Sequence, residues 1–262
     1  MKIVVCVKQV PDSDAALAIN ADKTWILESG INFGLNPYDR YALEEALKIK
    51  DAGEGEVVAV TLGPDRAAQV LKTCLATGAD RAIHLKDDAF QGGDPWANAL
   101  ALAAAIRTVE PDLVLCGFQA DDDTLAQTPV LLAGILDMPH ATGAMKIERT
   151  DAGVRVEREL EADRREVVDL PLPSVITVQT GINEPRYASI KGIMAAKRKE
   201  MKTPGPADLG IDPSQVGAAG SRLRFFDMAV PPKKEGGEVL TGTADEIALA
   251  LVKRIRENTG VL

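Results

Sequence analysis

Short apolar runs rich in β-branched residues recur through the first half of this chain. Each is followed by a stretch with helical punctuation, and that alternation constrains the fold more than any other feature. Residues 3–7, 57–62 and 113–116 read as buried strands, and 82–85 as a shorter one. Between them the helix signals are clear. Asn36 suits an N-cap and Pro37 the first helical position. Tyr38, Ala42, Ala46 and Ile49 then fall on one face, Lys48 and Lys50 lie where the helix dipole favours cations, and Gly53 suits the stop. Gly63-Pro64 opens a second helix that ends at Gly78, and Asp94-Pro95 a third running toward Val109. A fourth is expected from near Thr124 to just before Pro139. Strands alternating with helices imply βαβ units, so the expected fold is α/β: a mostly parallel sheet with helices on both faces.

The pattern changes after position 144. Residues 145–172 alternate polar and apolar side chains, which predicts an antiparallel hairpin or meander turning at 151–153; residues 174–180 return to a buried strand. Residues 1–201 are read as one α/β domain. Residues 202–262 are read as an arm: a Pro-, Gly- and Ala-rich extended segment, then an amphipathic helix over 243–256 with Ile247, Leu249, Leu251, Val252 and Ile255 available for burial. Such an arm is expected to wrap a partner subunit, with packing back on its own domain as the alternative.

Composition excludes several classes. A net charge of -9 makes a poor phosphate-backbone binder, and 4% aromatic residues give little stacking surface, so no nucleic acid is expected. Basic residues do cluster locally at Lys197, Arg198, Lys199 and Lys202, readable as a solvated face. Three cysteines without framework spacing point to a reducing compartment, and the cytoplasm is the expected location. No apolar run is long enough to predict membrane insertion. His84 and His140 lack metal-ligand spacing, so no metal is expected. No nucleophile elbow, Gly-x-Gly-x-x-Gly or Walker loop is present, and no catalytic residue is proposed.

Two stretches carry functional signals. Residues 117–128 follow a buried strand and lead into a helix, the place where α/β sheets bind ligands. A helix N-terminus there offers amides to a phosphate, and Gly117 permits close approach. Asp121, Asp122 and Asp123 would repel a phosphate unless they face solvent, cap the helix or meet ribose hydroxyls; a capped surface loop is the alternative reading. Residues 181–194 place Ile190 and Met194 among Arg186, Lys191 and Lys197, an apolar anchor with a charged rim, or else a loop tucked into the core.

The run Asn-Glu-Pro-Arg-Tyr-Ala-Ser-Ile at 183–190, with Ile193-Met194-Ala195-Ala196-Lys197 after it, closely resembles the signature of the electron-transfer flavoprotein beta subunit. Residues 4–10, 36–38, 43–46, 78–82, 207–210 and 238–255 are similar too, so the resemblance covers nearly the whole chain. It implies an adenine nucleotide alpha-hydrolase-like fold, an alpha subunit that holds most of an FAD, and one AMP bound structurally by the beta subunit. The implied AMP site comprises Cys6, Asn36, Pro37, Tyr38, Asp39 and Leu62, with Gly117, Gln119, Asp122, Asp123, Thr124, Leu125, Ala126, Gln127 and Thr128; Tyr38 matches a position near the flavin edge. The implied partner-recognition loop comprises Glu184, Pro185, Arg186, Tyr187, Ile190, Ile193, Met194 and Lys197, with Ile190 where the family usually has Leu. Its implied partners are flavin dehydrogenases such as acyl-CoA dehydrogenases, and a quinone-linked oxidoreductase.

Two departures bear on the nucleotide. Many AMP-binding members carry Asn-Gln-Thr where this chain has Ala126-Gln127-Thr128. Electron-bifurcating members, whose beta subunit binds a second FAD and oxidises NADH, typically carry a run like Asp-Gly-Asp-Thr-Ala-Gln-Val-Gly. The run Asp122-Asp123-Thr124-Leu125-Ala126-Gln127-Thr128-Pro129 matches it only in part and lacks the glycine. AMP is the expectation and a second FAD the alternative.

Overall fold

The computed structural model describes residues 1–53, 55–224, 227–232 and 236–260. In chain order the strands are β1 (Lys2–Cys6), β2 (Gln9–Pro11), β3 (Phe33–Leu35), β4 (Glu56–Leu62), β5 (Arg81–Leu85), β6 (Leu113–Gly117), β7 (His140–Thr150), β8 (Gly153–Glu159), β9 (Arg165–Leu170), β10 (Ser174–Val178) and β11 (Met201–Lys202). The helices are α1 (Pro37–Asp51), α2 (Ala68–Thr77), α3 (Pro95–Arg107), α4 (Thr128–Leu136), α5 (Ile190–Ala196), α6 (Gly217–Gly220) and α7 (Ala244–Thr259). The main sheet has the order β11-β5-β4-β1-β6-β10-β7-β8-β9. It is parallel from β11 through β7, and β7, β8 and β9 form the expected antiparallel meander.

Strand alternation builds one core on each face of the sheet. Ile3 and Val5 pack with Leu43, Leu47, Leu71 and Leu115, beneath α1 and α2. Val4 faces the other way, onto Val58, Val60, Leu102, Ile106, Val114 and Leu132, beneath α3 and α4. His84 is buried within this frame, its Nε2 2.9 Å from the Gly63 carbonyl oxygen, and burial lowers its pKa.

The order reverses at β1. The next main-sheet strand in sequence, β4, pairs on one side of it, and β6 pairs on the other. Ligand crevices of open α/β sheets form at such a reversal, beyond the carboxyl ends of the strands. Here those ends are Cys6 and Gly117.

Some local expectations need correction. The fourth helix starts at Thr128, not near Thr124, because Thr124 (φ 51°) and Ala126 (φ 52°) adopt left-handed backbone that a helix cannot include. The loop expected around position 190 contains α5, capped by Ser189, whose Oγ accepts from Gly192 N at 3.0 Å. The antiparallel ribbon of β2 and β3 had no readable pattern.

The expected boundary between 201 and 202 falls inside β11. Beyond it, Leu209, Ile211 and the fully buried Val216 join the second core, so the first part of the arm packs on its own body. From Leu223 onward no apolar side chain among the described residues is buried. α7 is well made locally: Thr243 and Glu246 form a reciprocal capping box, and Gly260 closes it in left-handed backbone. Yet it exposes Leu249, Leu251 and Val252.

Candidate functional site

The candidate crevice, placed by the strand reversal, is framed by the start of α1 and the ends of β1 and β6. Pro37 starts α1, and Asn36 stands at its N-cap position without capping it. Its side chain reaches across instead: Nδ2 donates to the Gln119 carbonyl at 2.9 Å, and Oδ1 accepts from Asp121 N at 3.2 Å. Asp39, one turn on, is buried. Its Oδ2 accepts from Lys8 N at 2.7 Å and its Oδ1 from Gly117 N at 3.0 Å, tying both strand ends to α1. Burial pushes the Asp39 carboxyl up to about 7, against the pull of these hydrogen bonds. Gly117 is required by this approach, since a Cβ there would stand 2.3 Å from Asp39 Oδ1.

The loop after β6 is stitched across the same opening. Gln119 Nε2 donates to the Tyr38 hydroxyl at 3.3 Å, and Tyr38 lies 6.4 Å from Phe118, ring centre to ring centre. Lys8 Nζ bridges Asp122 at 2.7 Å and Asp123 at 2.9 Å. Burial works against the ammonium, but the two carboxylates outweigh it and hold its pKa above the ordinary lysine value. The single ammonium offsets one of the two charges it bridges, which reduces but does not remove the repulsion of an anion beside the three aspartates. Asp123 Oδ1 also accepts from Leu125 N at 3.0 Å. Ala126 in left-handed backbone followed by Gln127 in right-handed backbone (φ -95°, ψ -38°) is the alternation from which anion-binding nests of amides are made, and it runs straight into α4.

The structure thus brings Cys6, Asn36, Pro37, Tyr38, Asp39, Gly117 and Gln119 together with the loop through Asp122, Asp123, Thr124, Leu125, Ala126, Gln127 and Thr128. Leu62 ends the neighbouring strand β4, partly buried against the second core. Cys6 and Cys116 are register partners on adjacent strands. The Cys6 thiol and burial push Cys116 well above the ordinary thiol value, and burial takes Cys74 to about 12, so neither supplies a thiolate nucleophile. Lys8 was missed as a site residue; a lone cation just past a strand end, in a chain with three consecutive aspartates, was the available signal.

The second constellation lies on the α1–α2 side. Tyr187, Ile190 and Met194 are 91%, 81% and 68% exposed, so the apolar anchor stands in solvent and not in the core. Glu184, Ile193 and Lys197 are exposed as well, and Pro185 is half-buried. Arg186 belongs to the support. Its guanidinium bonds Glu44 with Nε–Oε2 at 2.8 Å and Nη2–Oε1 at 2.9 Å, and its Nη1 reaches Asp51 at 2.9 Å. Asn183 Nδ2 donates to the Tyr41 carbonyl and to Glu45. Below α5, a Cβ on Gly192 would lie 2.2 Å from the Ala76 carbonyl oxygen. Lys199 Nζ donates to the Leu75 and Ala79 carbonyls at 2.9 and 2.6 Å, neutralising the end of α2. An exposed apolar knob thus sits on a rigid mount. Glu44 and Asn183, the key parts of that mount, carried no sequence signal of their own.

An α/β body with a candidate ligand site at its strand reversal and an exposed, braced apolar knob narrows the field, and comparison with known proteins gives the class. Residues 23–209 match the family described as Electron transfer flavoprotein domain. Over 260 residues the chain is 41% identical to the Caffeyl-CoA reductase-Etf complex subunit CarD of Acetobacterium woodii, covering 98% of each chain. It is 39% identical over 256 residues to the electron transfer flavoprotein subunit beta of Thermoanaerobacterium thermosaccharolyticum, covering 97% of this chain and 98% of that one. With the beta subunit of Methylophilus methylotrophus it shares 37% over 264 residues, covering 99% and 100%. The chain belongs to the beta subunits of the electron transfer flavoproteins, electron carriers that pair with an alpha subunit. No helix among the described residues is long and apolar enough to cross a membrane.

Proposed function

We propose that this chain is the AMP-holding half of an alpha–beta electron carrier, with AMP bound at the β1/β6 reversal as a structural element that is not turned over. The observation that carries the reading is the left–right backbone alternation at Ala126 and Gln127, leading into the N-terminus of α4. Its amides suit a phosphate, while the Lys8 bridge offsets one of the two charges of Asp122 and Asp123. Asn36, Tyr38, Asp39 and Gln119 brace the crevice, and Gly117 lets the start of α1 pack against the end of β6. AMP bound there ties the loop to the sheet and supports assembly.

The remaining roles follow from the surface. α7 presents Leu249, Leu251 and Val252, and we assign it to the alpha subunit, whose FAD this chain helps to enclose, with Tyr38 toward the flavin. Ile190, with Tyr187, Ile193 and Met194 around it, enters an apolar pocket on flavin dehydrogenases such as acyl-CoA dehydrogenases, or on a quinone-linked oxidoreductase; Glu184 and Lys197 form the charged rim. Three free cysteines suit a reducing compartment, and we place the protein in the cytoplasm. The test is to denature the purified heterodimer and chromatograph the released nucleotides. One AMP per FAD is expected. Two FAD and no AMP would overturn the reading in favour of a bifurcating, NADH-oxidising carrier.

A further inference from the structure

Asp94 does two jobs with one carboxylate. Its Oδ1 accepts from Ala97 N at 2.9 Å and caps α3. Its Oδ2 accepts from Arg222 N at 2.7 Å and Leu223 N at 2.8 Å, two successive amides of a segment 128 and 129 residues further along the chain. Its own N–H donates to Ser221 Oγ at 2.9 Å, and that hydroxyl lies 3.0 Å from the Gly217 carbonyl. The Arg222 guanidinium stacks 3.7 Å above the Trp96 ring. Just upstream, Val216 is fully buried and Ala218 N donates to the Gln91 carbonyl at 2.8 Å. These bonds keep the Asp94 carboxyl below the usual carboxylate range even though burial opposes them.

They also mark a boundary. Up to Leu223 the chain is fastened to the body; beyond it the described contacts to the body are few. Met228 N donates to the Lys23 carbonyl at 3.0 Å and Lys23 Nζ lies 3.7 Å from Asp227, both at the tip of the excursion between β2 and β3. α7 follows with no buried residue.

We propose that Asp94 is a latch that fixes where the C-terminal arm leaves the body, and so a positioning residue for assembly with the alpha subunit. The proposal rests on the reading that the segment after Leu223 clasps that subunit. Without the latch, the arm swings about a point near Ser221, and the alpha subunit must order it on binding.

Asp94→Ser is the discriminating variant. A serine hydroxyl still caps α3 but has no second oxygen for Arg222 and Leu223. In the isolated chain, tryptic cleavage after Arg222 and Arg224 should accelerate by about tenfold, the loss expected when hydrogen bonds to a charged group are removed. Affinity for the alpha subunit should weaken by about tenfold for the same reason. Ser221→Ala, which spares the carboxylate, should move both readouts in the same direction by about threefold, and keeps the test open if the first variant folds poorly. Unchanged cleavage in both variants overturns the latch. Faster cleavage with unchanged affinity overturns the positioning role. A chain ending at Arg224 separates the two ideas: if it binds the alpha subunit as tightly as the full chain, the clasping arm is wrong whatever Asp94 does.

Discussion

Replacing Arg186 by methionine tests the claim that this residue mounts the docking knob instead of touching the partner. The change removes the three Glu44 bonds and the Asp51 bond. Glu44 is left with a side chain only 7% exposed and one remaining donor from this loop, the Arg186 backbone N–H at 3.1 Å. Breaking a fully buried pair costs about 3–5 kcal/mol because a charge stays buried and unpaired. Arg186 is 38% exposed, so solvent screens the pair and the cost falls to about 1–3 kcal/mol. At about 3 °C per kcal/mol for a chain of this size, the melting temperature should drop by roughly 3–9 °C. Adding Glu44→Gln removes the stranded charge and should recover most of the loss. The assay is thermal unfolding of the four members of this double-mutant cycle, with electron transfer to a partner dehydrogenase followed in parallel. A methionine variant that melts at the parental temperature, or a double variant no more stable than the single one, refutes the mount.

Ile190→Ala should slow electron transfer to a partner dehydrogenase by about tenfold, the loss of an apolar anchor, with flavin content and melting temperature unchanged because the side chain is already exposed; stopped-flow kinetics read this out. Asp39 predicts a pH dependence of fixed sign. Its folded pKa is raised from 3.8 to about 7, so its contribution to stability is fully present below the unfolded value and is lost as pH rises through the folded one. Between about pH 6 and about pH 8, the parent should lose about 1 kcal/mol from this group. Asp39→Asn should be less stable, since its amide turns a donor toward Lys8 N or Gly117 N, and its melting temperature should vary less with pH over that range.

Residues 3–7, 57–62 and 113–116 announced their strands because burial on both faces demands continuous apolar side chains, and Asn36-Pro37 and Asp94-Pro95 announced helix starts by local chemistry. What stayed hidden depends on partners far along the chain. The two-residue strand β11 exists because β5 offers it an edge. Val216 gives no periodic signal, yet it fills a gap in the second core. Asp94 reads as a helix cap, and nothing local hints at Arg222 and Leu223. The candidate crevice was legible as a stretch of residues, but the left-handed backbone at Thr124 and Ala126 was not, since neither residue type favours it. Arg186 was read as rim because sequence shows a charge without showing where it points.

α1 is the common beam of the molecule. Its first turn carries Asn36 and Asp39, which brace the crevice, while Glu44, Glu45 and Asp51 further along the same rod carry the loop below the knob. The candidate crevice and the exposed knob are therefore both braced from a single helix. A shift of that rod on the sheet displaces the two together, so their spacing is preserved even where their distance from everything else changes.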